Sequence, residues 1–600
     1  MALGLAFLLA GKLGLTQGLQ LPGDQSPPSA PQPAAPATLT AVHGVVRNAA
    51  TGAPLPRTLV RIEGGEIAAL TDGEGRFELT GVAVGPQIIR LRKPGFLDRP
   101  YASEDMGYQN DGPAHSVLVV AEMPDLNFKL TPTSAIHGRI ELSTGDPAQG
   151  IQITLLKQMI RDGRAVWTQN GSTKTNGSGA YRFAGLPAGV YALYTQPTLE
   201  SEPVTAIAAP GAKVARNGYP SVFYPEAREF SGAARIRLKA GDQVEANLLL
   251  TLEPFYAVKA AAILPNGKPY SENDHTRKLI SESFSPITQV IVLDTAGNRL
   301  AYEAQYDQRT QSFQVFLPDG VYTLFVVVSS DDTNYSVNRK PNGHAIPEVS
   351  NQSGFTEFSV DGNAITNLKI PLAQKPNWLI HLRILQSSSQ TSSSLNHNLN
   401  SVVTIPSINA GEAPMDNGFM INSPVFASTT QMTGPDQLEM YSAEPGPHWI
   451  STEVNDRSLC VDSFSAGGVN LAREPLNVAL GASPPPMELT LRDDCAKLAL
   501  TLPPALADFL PGEEPFYTVY VVPDFDTTAD IPPMTVHPSS GATLTVDGLT
   551  PGSYHVYVFN EPVRLEYRNP AVLAALPTPG QQVSLSPGTT GNLMLEVPAR

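Results

Sequence analysis

The chain runs to 600 residues, with 40 Lys and Arg against 56 Asp and Glu and a formal net charge of −16. An acidic balance of that size argues against nucleic acid or an anionic membrane surface as a partner. Charged residues are only 16%, while Gly numbers 49 and Pro 55, a turn-rich and charge-poor composition that points to an exported all-β protein rather than a cytosolic enzyme.

Residues 2–11, ALGLAFLLAG, have the length of a signal-peptide core, but Lys12 falls on the wrong side of it and no A-x-A site follows. Residues 1–21 therefore read as a truncated signal or an uncleaved anchor. The run is too short for an ordinary transmembrane helix, and no later run reaches eighteen apolar residues. Residues 22–38, PGDQSPPSAPQPAAPAT, form a Pro-rich linker that cannot bury a core.

The first domain is read over 39–132. Thr58, Val60 and Ile62 share one face of an early strand, and TDGEGRFELTGVAVGPQIIRL follows at Thr71–Leu91. Asp72-Gly73 is expected to supply positive φ at both centres of a tight hairpin turn. Phe77 and Leu79 alternate with polar neighbours in the period-2 pattern of a half-buried strand. The stretch is written again from Thr175 as TNGSGAYRFAGLPAGVYAL, with Asn176-Gly177 in the turn and Tyr181 and Phe183 in the strand.

That copy belongs to a second domain, 133–253, which opens at Ile136-His137-Gly138 as the first does at Val42-His43-Gly44. The Gly-initiated strand then recurs as GVYTLFVVV from Gly320, GPHWIST from Gly446 and GSYHVYVF from Gly552. Pro187, Pro318, Pro445 and Pro551 stand one or two residues ahead of these glycines, a cheap chain reversal before a strand. The alternation predicts burial of Tyr191, Leu193, Tyr322, Leu324, Tyr554 and Val556. A second marker closes each unit: Gly241, Gly362, Gly481 and Gly588 each precede a strand such as Leu248, Leu250, Leu252 or Met487, Leu489, Leu491. Two markers keeping step give further domains at 254–373, 374–492 and 493–600. Ser/Asn-rich segments such as QSSSQTSSSLNHNLNS read as solvated loops, and Asn569-Pro570 starts one short helix through Ala575. The fold class is all-β, a tandem array of about five Ig-like or transthyretin-like β-sandwiches.

The GVV opening at Gly44, the TGAPLP turn, the TDGEGRF hairpin and the KPGF close at Lys93–Phe96 resemble the carboxypeptidase regulatory-like domain family, a sandwich of transthyretin-like, carbohydrate-binding-like fold. YPEAREFSGAARIRL and the C-terminal tail resemble large bacterial proteins that repeat this module. The resemblance implies a non-catalytic appendage. A zinc peptidase would need a His-x-x-Glu pair and a distant second His, and none of the 10 histidines has Glu three residues on. Neither a Gly-x-Ser-x-Gly elbow nor a phosphate-cradling loop occurs, so no catalytic residue, cofactor or metal is assigned.

Three weaker signals remain. Tyr219, Phe223, Tyr224 and Phe230 could stack on sugar rings or pack back on their own sandwich. Asp72 to Gly75, DGEG, suggests calcium, but its copy has Ser178 where Glu74 stands, and a turn explains both. Cys460 and Cys495 are the 2 cysteines of the chain, and in an oxidising compartment they would pair. These readings converge on a non-enzymatic, extracytoplasmic interaction or adhesion scaffold, a rod-like string binding protein or glycan at a cell surface. The alternatives are a carbohydrate-binding protein and an accessory string acting with an outer-membrane transporter.

Overall fold

A computed structural model of the chain describes residues 38–97, 114–200, 215–270, 287–295, 299–329, 352–374, 378–385, 403–409, 425–428, 430–434, 436–440, 446–454, 456–478, 485–503, 517–536, 543–560 and 563–597. The N-terminal apolar run, nearly all of the Pro-rich linker, Gly481 and the QSSSQTSSSLNHNLNS segment lie outside the described residues. Strand dominates the described chain and is arranged in ten sheets, with one short α-helix and one 3₁₀ turn.

The sheets come in five pairs with one repeated plan. The opening strands are Leu39–Asn48, Ser134–Leu142, Glu253–Ile263, Trp378–Leu385 and Ala496–Thr501. Each runs antiparallel to a strand from the middle of its unit and parallel to the closing strand. The parallel registers are Gly44 with Leu126, Ile140 with Leu248, Ala260 with Leu368, Leu382 with Leu489 and Leu500 with Leu593. The Gly-initiated strands lie in the opposing sheet every time, as Gly85–Arg92, Gly189–Thr195, Gly320–Ser329, Gly446–Ile450 and Gly552–Phe559. One apolar core fills each pair, and Tyr191, Leu193, Tyr322, Leu324, Tyr554 and Val556 are all buried there. Leu252 departs from its expected face and is exposed.

The Pro-x-Gly-x-Tyr pattern has a hydrogen-bonding cause. The Tyr191 hydroxyl donates to the Pro187 carbonyl at 2.9 Å, and that of Tyr322 donates to the Pro318 carbonyl at 3.1 Å. Tyr554 donates in the same way to the Thr550 carbonyl. Each ring thus enters the core while its polar end closes the preceding turn, satisfying the hydroxyl that burial would otherwise orphan. The ring folds back over the glycine, where a Cβ at Gly320 would lie 2.8 Å from the Tyr322 hydroxyl oxygen.

The hairpin turn works differently from the expectation. Positive φ falls at Gly75 (76°) and Gly179 (72°), not at Asp72-Gly73 or Asn176-Gly177. Asp72 instead accepts at Oδ1 from the N–H groups of Glu74 (3.0 Å) and Arg76 (2.8 Å), and Asn176 accepts from Ser178 and Ala180 at 3.0 Å each. An acceptor oxygen is all the turn requires, so Asp and Asn interchange, and the residue at Glu74 or Ser178 is unconstrained. Among the described residues no cluster of His, Cys, Asp and Glu could hold a metal ion.

Two features place the site. Strands Thr198–Leu199 and Ala215–Tyr219, read as part of the second unit, extend the sheet of the third by pairing onto Glu253–Ile263. The helix Pro570–Ala574, capped by Asn569 accepting from the Ala571 N–H at 3.1 Å, seats Val572 and Leu573 against Tyr520 and Tyr567 on the outside of the fifth sandwich. No helix among the described residues is long and apolar enough to cross a membrane, which says nothing of a β-barrel.

Candidate functional site: a junction groove and an interdomain clasp

The four aromatics singled out in sequence do not form one platform. Tyr219 and Tyr224 pack against the core of the second sandwich, where the Tyr219 hydroxyl donates to Glu200 Oε1 at 3.3 Å. Burial and the adjoining Glu200 carboxylate raise the Tyr219 pKa. Phe223 and Phe230 are 9% and 4% exposed and join Tyr194 and Trp167 in a satellite cluster on the outside of that sandwich. Ring centroids are 5.0 Å apart for Tyr194–Phe223, 5.7 Å for Phe223–Phe230 and 5.3 Å for Trp167–Phe230, and the Arg235 guanidinium lies 4.2 Å over Phe230. With protein on their faces, these rings cannot stack on a sugar. Their apolar area is buried against their own sandwich, which is where it is most stable.

Phe223 and Phe230 do border a cleft of about 500 Å³ between the second and third sandwiches, together with Tyr302, Tyr322 and the Arg228–Glu253 ion pair. Burial raises the pKa of both tyrosines, that of Tyr322 to about 12. On the other side of Ala301 and Tyr302 lies a larger groove of about 970 Å³. Its floor follows from register. Arg216 pairs with Phe255, Ala257 with Phe316, Lys259 with Gln314, and Gln314 with Gln305. Alternation sends Tyr256, Val258, Val315 and Leu317 into the core, so Arg216, Phe255, Phe316, Gln314 and Gln305 share the outer face. The opposite wall comes from the second sandwich, with Gln152, Gln169, Lys174 and Gln196. No local motif marks these residues; they meet only because the second unit lends strands to the sheet of the third.

A second constellation joins three sandwiches. Strands Gln152–Arg161 and Arg164–Lys174 form a long hairpin whose tip is Asp162-Gly163, with φ of 44° and 65°. Both residues have the positive φ of a type I′ turn. The Asp162 side chain accepts at Oδ1 from the Tyr567 hydroxyl (2.7 Å) and from Arg568 Nη2 (3.0 Å), and at Oδ2 from the Ser451 hydroxyl. Arg568 also donates to the carbonyls of Asp162 (3.0 Å), Thr527 (2.6 Å) and Ala529 (3.1 Å). Asp162 and Arg568 side chains are 9% and 10% exposed, so the pair is desolvated. Burial alone would lower the Arg568 pKa, but the Asp162 charge and Tyr567 more than offset this and raise it. Beside it, the Arg164 guanidinium lies 3.4 Å over the Trp449 ring. A Cβ on Gly163 would meet the Tyr567 ring at 2.6 Å. The fourth and fifth sandwiches meet at the same place, the Thr452 N–H donating to the Thr528 carbonyl at 2.7 Å.

This clasp corrects the rod-like arrangement. A straight string would keep the second unit away from the fourth and fifth, whereas the hairpin tip reaches both and the chain doubles back. Where the fourth sandwich hands over to the fifth, the Sγ atoms of Cys460 and Cys495 lie 2.15 Å apart with Cα atoms 5.8 Å apart, at bonding distance. Cys460 starts strand Cys460–Ala466 of the fourth sandwich, and Cys495 immediately precedes strand Ala496–Thr501 of the fifth.

No family model matches the chain, and no curated protein matches it. Among solved structures, the TIE protein of Bacillus anthracis is 12% identical, with 56% of this chain and 51% of that chain covered and a TM-score of 0.15. A streptococcal ancillary pilin is 10% identical, with 56% and 100% covered and a TM-score of 0.18. Two B repeat units of the collagen binding protein of Staphylococcus aureus are 10% identical, with 72% and 94% covered and a TM-score of 0.13. This chain spans about half the length of the first of these. Likenesses at such scores carry no argument about function.

Proposed function

We propose that the chain is an exported, non-enzymatic interaction scaffold of five β-sandwich domains, at 39–132, 133–253, 254–373, 374–492 and 493–600, related to the carboxypeptidase regulatory-like modules. The observation that carries the reading is the junction of the second and third sandwiches, where a sheet assembled from both units leaves a groove of about 970 Å³ open to a ligand. Clefts between domains are a preferred place for ligands, and the floor of this one is a sheet face. Its mechanism is recognition: a rigid sheet face supplies one wall, the neighbouring sandwich supplies the other, and the clasp limits how the domains can move.

Export is supported by the pairing we assign to Cys460 and Cys495, since such bonds persist in oxidising compartments. The test is labelling of intact native cells with a membrane-impermeant biotin reagent, followed by mass spectrometry of the unreduced, alkylated protein. The proposal expects labelled protein with the two cysteines joined. Unlabelled protein carrying two alkylated thiols refutes it.

A further inference from the structure

We infer that the junction groove is a binding site for a neutral, polyhydroxylated chain, an oligosaccharide held along the outer face of the third sandwich; the inference rests on the scaffold reading above. The groove is unusual in its amides. Gln152, Gln169 and Gln196 stand on the side of the second sandwich, and Gln305 and Gln314 on the side of the third. Among the described residues, the side-chain amides of Gln152, Gln169, Gln305 and Gln314 meet no hydrogen-bond partner within the protein. An amide offers both an acceptor oxygen and donor N–H groups in one plane. A sugar hydroxyl is likewise donor and acceptor together, so two facing amide walls match a ligand bearing hydroxyls on both edges.

Charge narrows the ligand further. Lys174 and Arg216 are balanced by Glu303 and Asp307 around the groove, so its walls select neither an anionic nor a cationic chain. Phe316 adds a half-buried ring on the floor, but the Arg216 guanidinium lies 5.1 Å over it, so the amides and not this ring carry the recognition. The volume of about 970 Å³ is at the upper end of small-molecule sites, which fits a few linked rings better than one. An extended peptide pairing with the edge strand Gln305–Asp307 is the competing occupant. Peptide recognition through an edge would need apolar pockets for alternate side chains, and these walls offer amides instead.

The experiment uses the full chain. An array of neutral and acidic oligosaccharides is screened first, and each hit is titrated calorimetrically as the free oligosaccharide against wild type, Gln314→Ala, Gln169→Ala and Tyr219→Phe, each checked for an unchanged melting temperature. The inference expects neutral chains among the hits, binding at least ten-fold weaker in Gln314→Ala and in Gln169→Ala, and no change in Tyr219→Phe. Since the two glutamines come from different sandwiches, weakening by both places the ligand in the junction. Three results overturn it: no neutral oligosaccharide bound, only acidic ones bound, or binding that ignores both glutamine variants. Hydrogen–deuterium exchange with an unstructured peptide library protecting Gln305–Asp307 instead would assign the groove to peptide. Any of these outcomes leaves the cell-surface labelling result standing, so the scaffold reading and this inference fail separately.

Discussion

Asp162→Asn is the sharpest probe of the folded-back arrangement. Asn tolerates the positive φ of 44° that Asp162 adopts, so the hairpin turn survives, while the charge facing Arg568 is lost. Arg568 is 10% exposed and would remain buried without its counter-charge. Removing one member of a buried pair costs about 3–5 kcal/mol. Asn keeps part of the hydrogen bonding from Tyr567 and Ser451, so the loss falls below that range, at about 2–3 kcal/mol. Because the partners lie in different sandwiches, the loss falls on docking and not on any one core. A docking equilibrium weakened by that much shifts by roughly 30- to 150-fold. Small-angle scattering should show a larger radius of gyration for Asp162→Asn than for wild type, with unchanged far-ultraviolet circular dichroism. Gly163→Ala, with φ of 65° and a Cβ 2.6 Å from the Tyr567 ring, should do the same by steric means. Asp162→Ala combined with Arg568→Met should recover part of the docking, because no unpaired charge is then left. Superimposable scattering curves for wild type and Asp162→Asn would refute the clasp.

Leu193→Ala, at a fully buried position, should destabilise the second sandwich by roughly 2–5 kcal/mol and leave the fifth unaffected, as domain-resolved melting or hydrogen exchange would read. Replacing Cys460 and Cys495 together by Ser should lower stability by roughly 3–4 kcal/mol, the loop-closure effect for a separation of 35 residues; unchanged denaturant midpoints would contradict it. Tyr322 gives a pH dependence with a definite sign. Burial raises its folded pKa from 10.0 to about 12, so its contribution is fully present below pH 10 and is lost as pH rises through about 12. Phenolate absorbance in Tyr322→Phe difference spectra should therefore appear near pH 12 or on unfolding, and ionisation at pH 10 in the folded protein would overturn the assignment.

The legible part of the fold was the part held together locally. Pro187, Gly189 and Tyr191 form a marker because the hydroxyl of the third closes on the carbonyl of the first, and such a contact must repeat at fixed spacing wherever the strand repeats. The Asn569-capped helix was legible for the same reason, since a cap is read two residues away. The position of the turn at Asp72 is legible but its device is not: the dipeptide Asp-Gly is shared by a type I′ turn and by an Asx turn, and the positive φ at Gly75 distinguishes them. The type I′ turn at Asp162-Gly163 carries the same dipeptide without a repeated copy to mark it. Even read as a hairpin, it could not have revealed its partner. Arg568 lies 406 residues on, and no periodicity links a loop of the second sandwich to one of the fifth. The junction groove is hidden by the same rule: Gln152 and Gln314 line opposite walls of a groove whose floor is a sheet that no single repeat specifies. Repetition encodes how each sandwich folds, whereas what distinguishes this chain from a plain array rests on single residues at the places where repeats meet. Those residues are where substitution should change function while leaving every core intact.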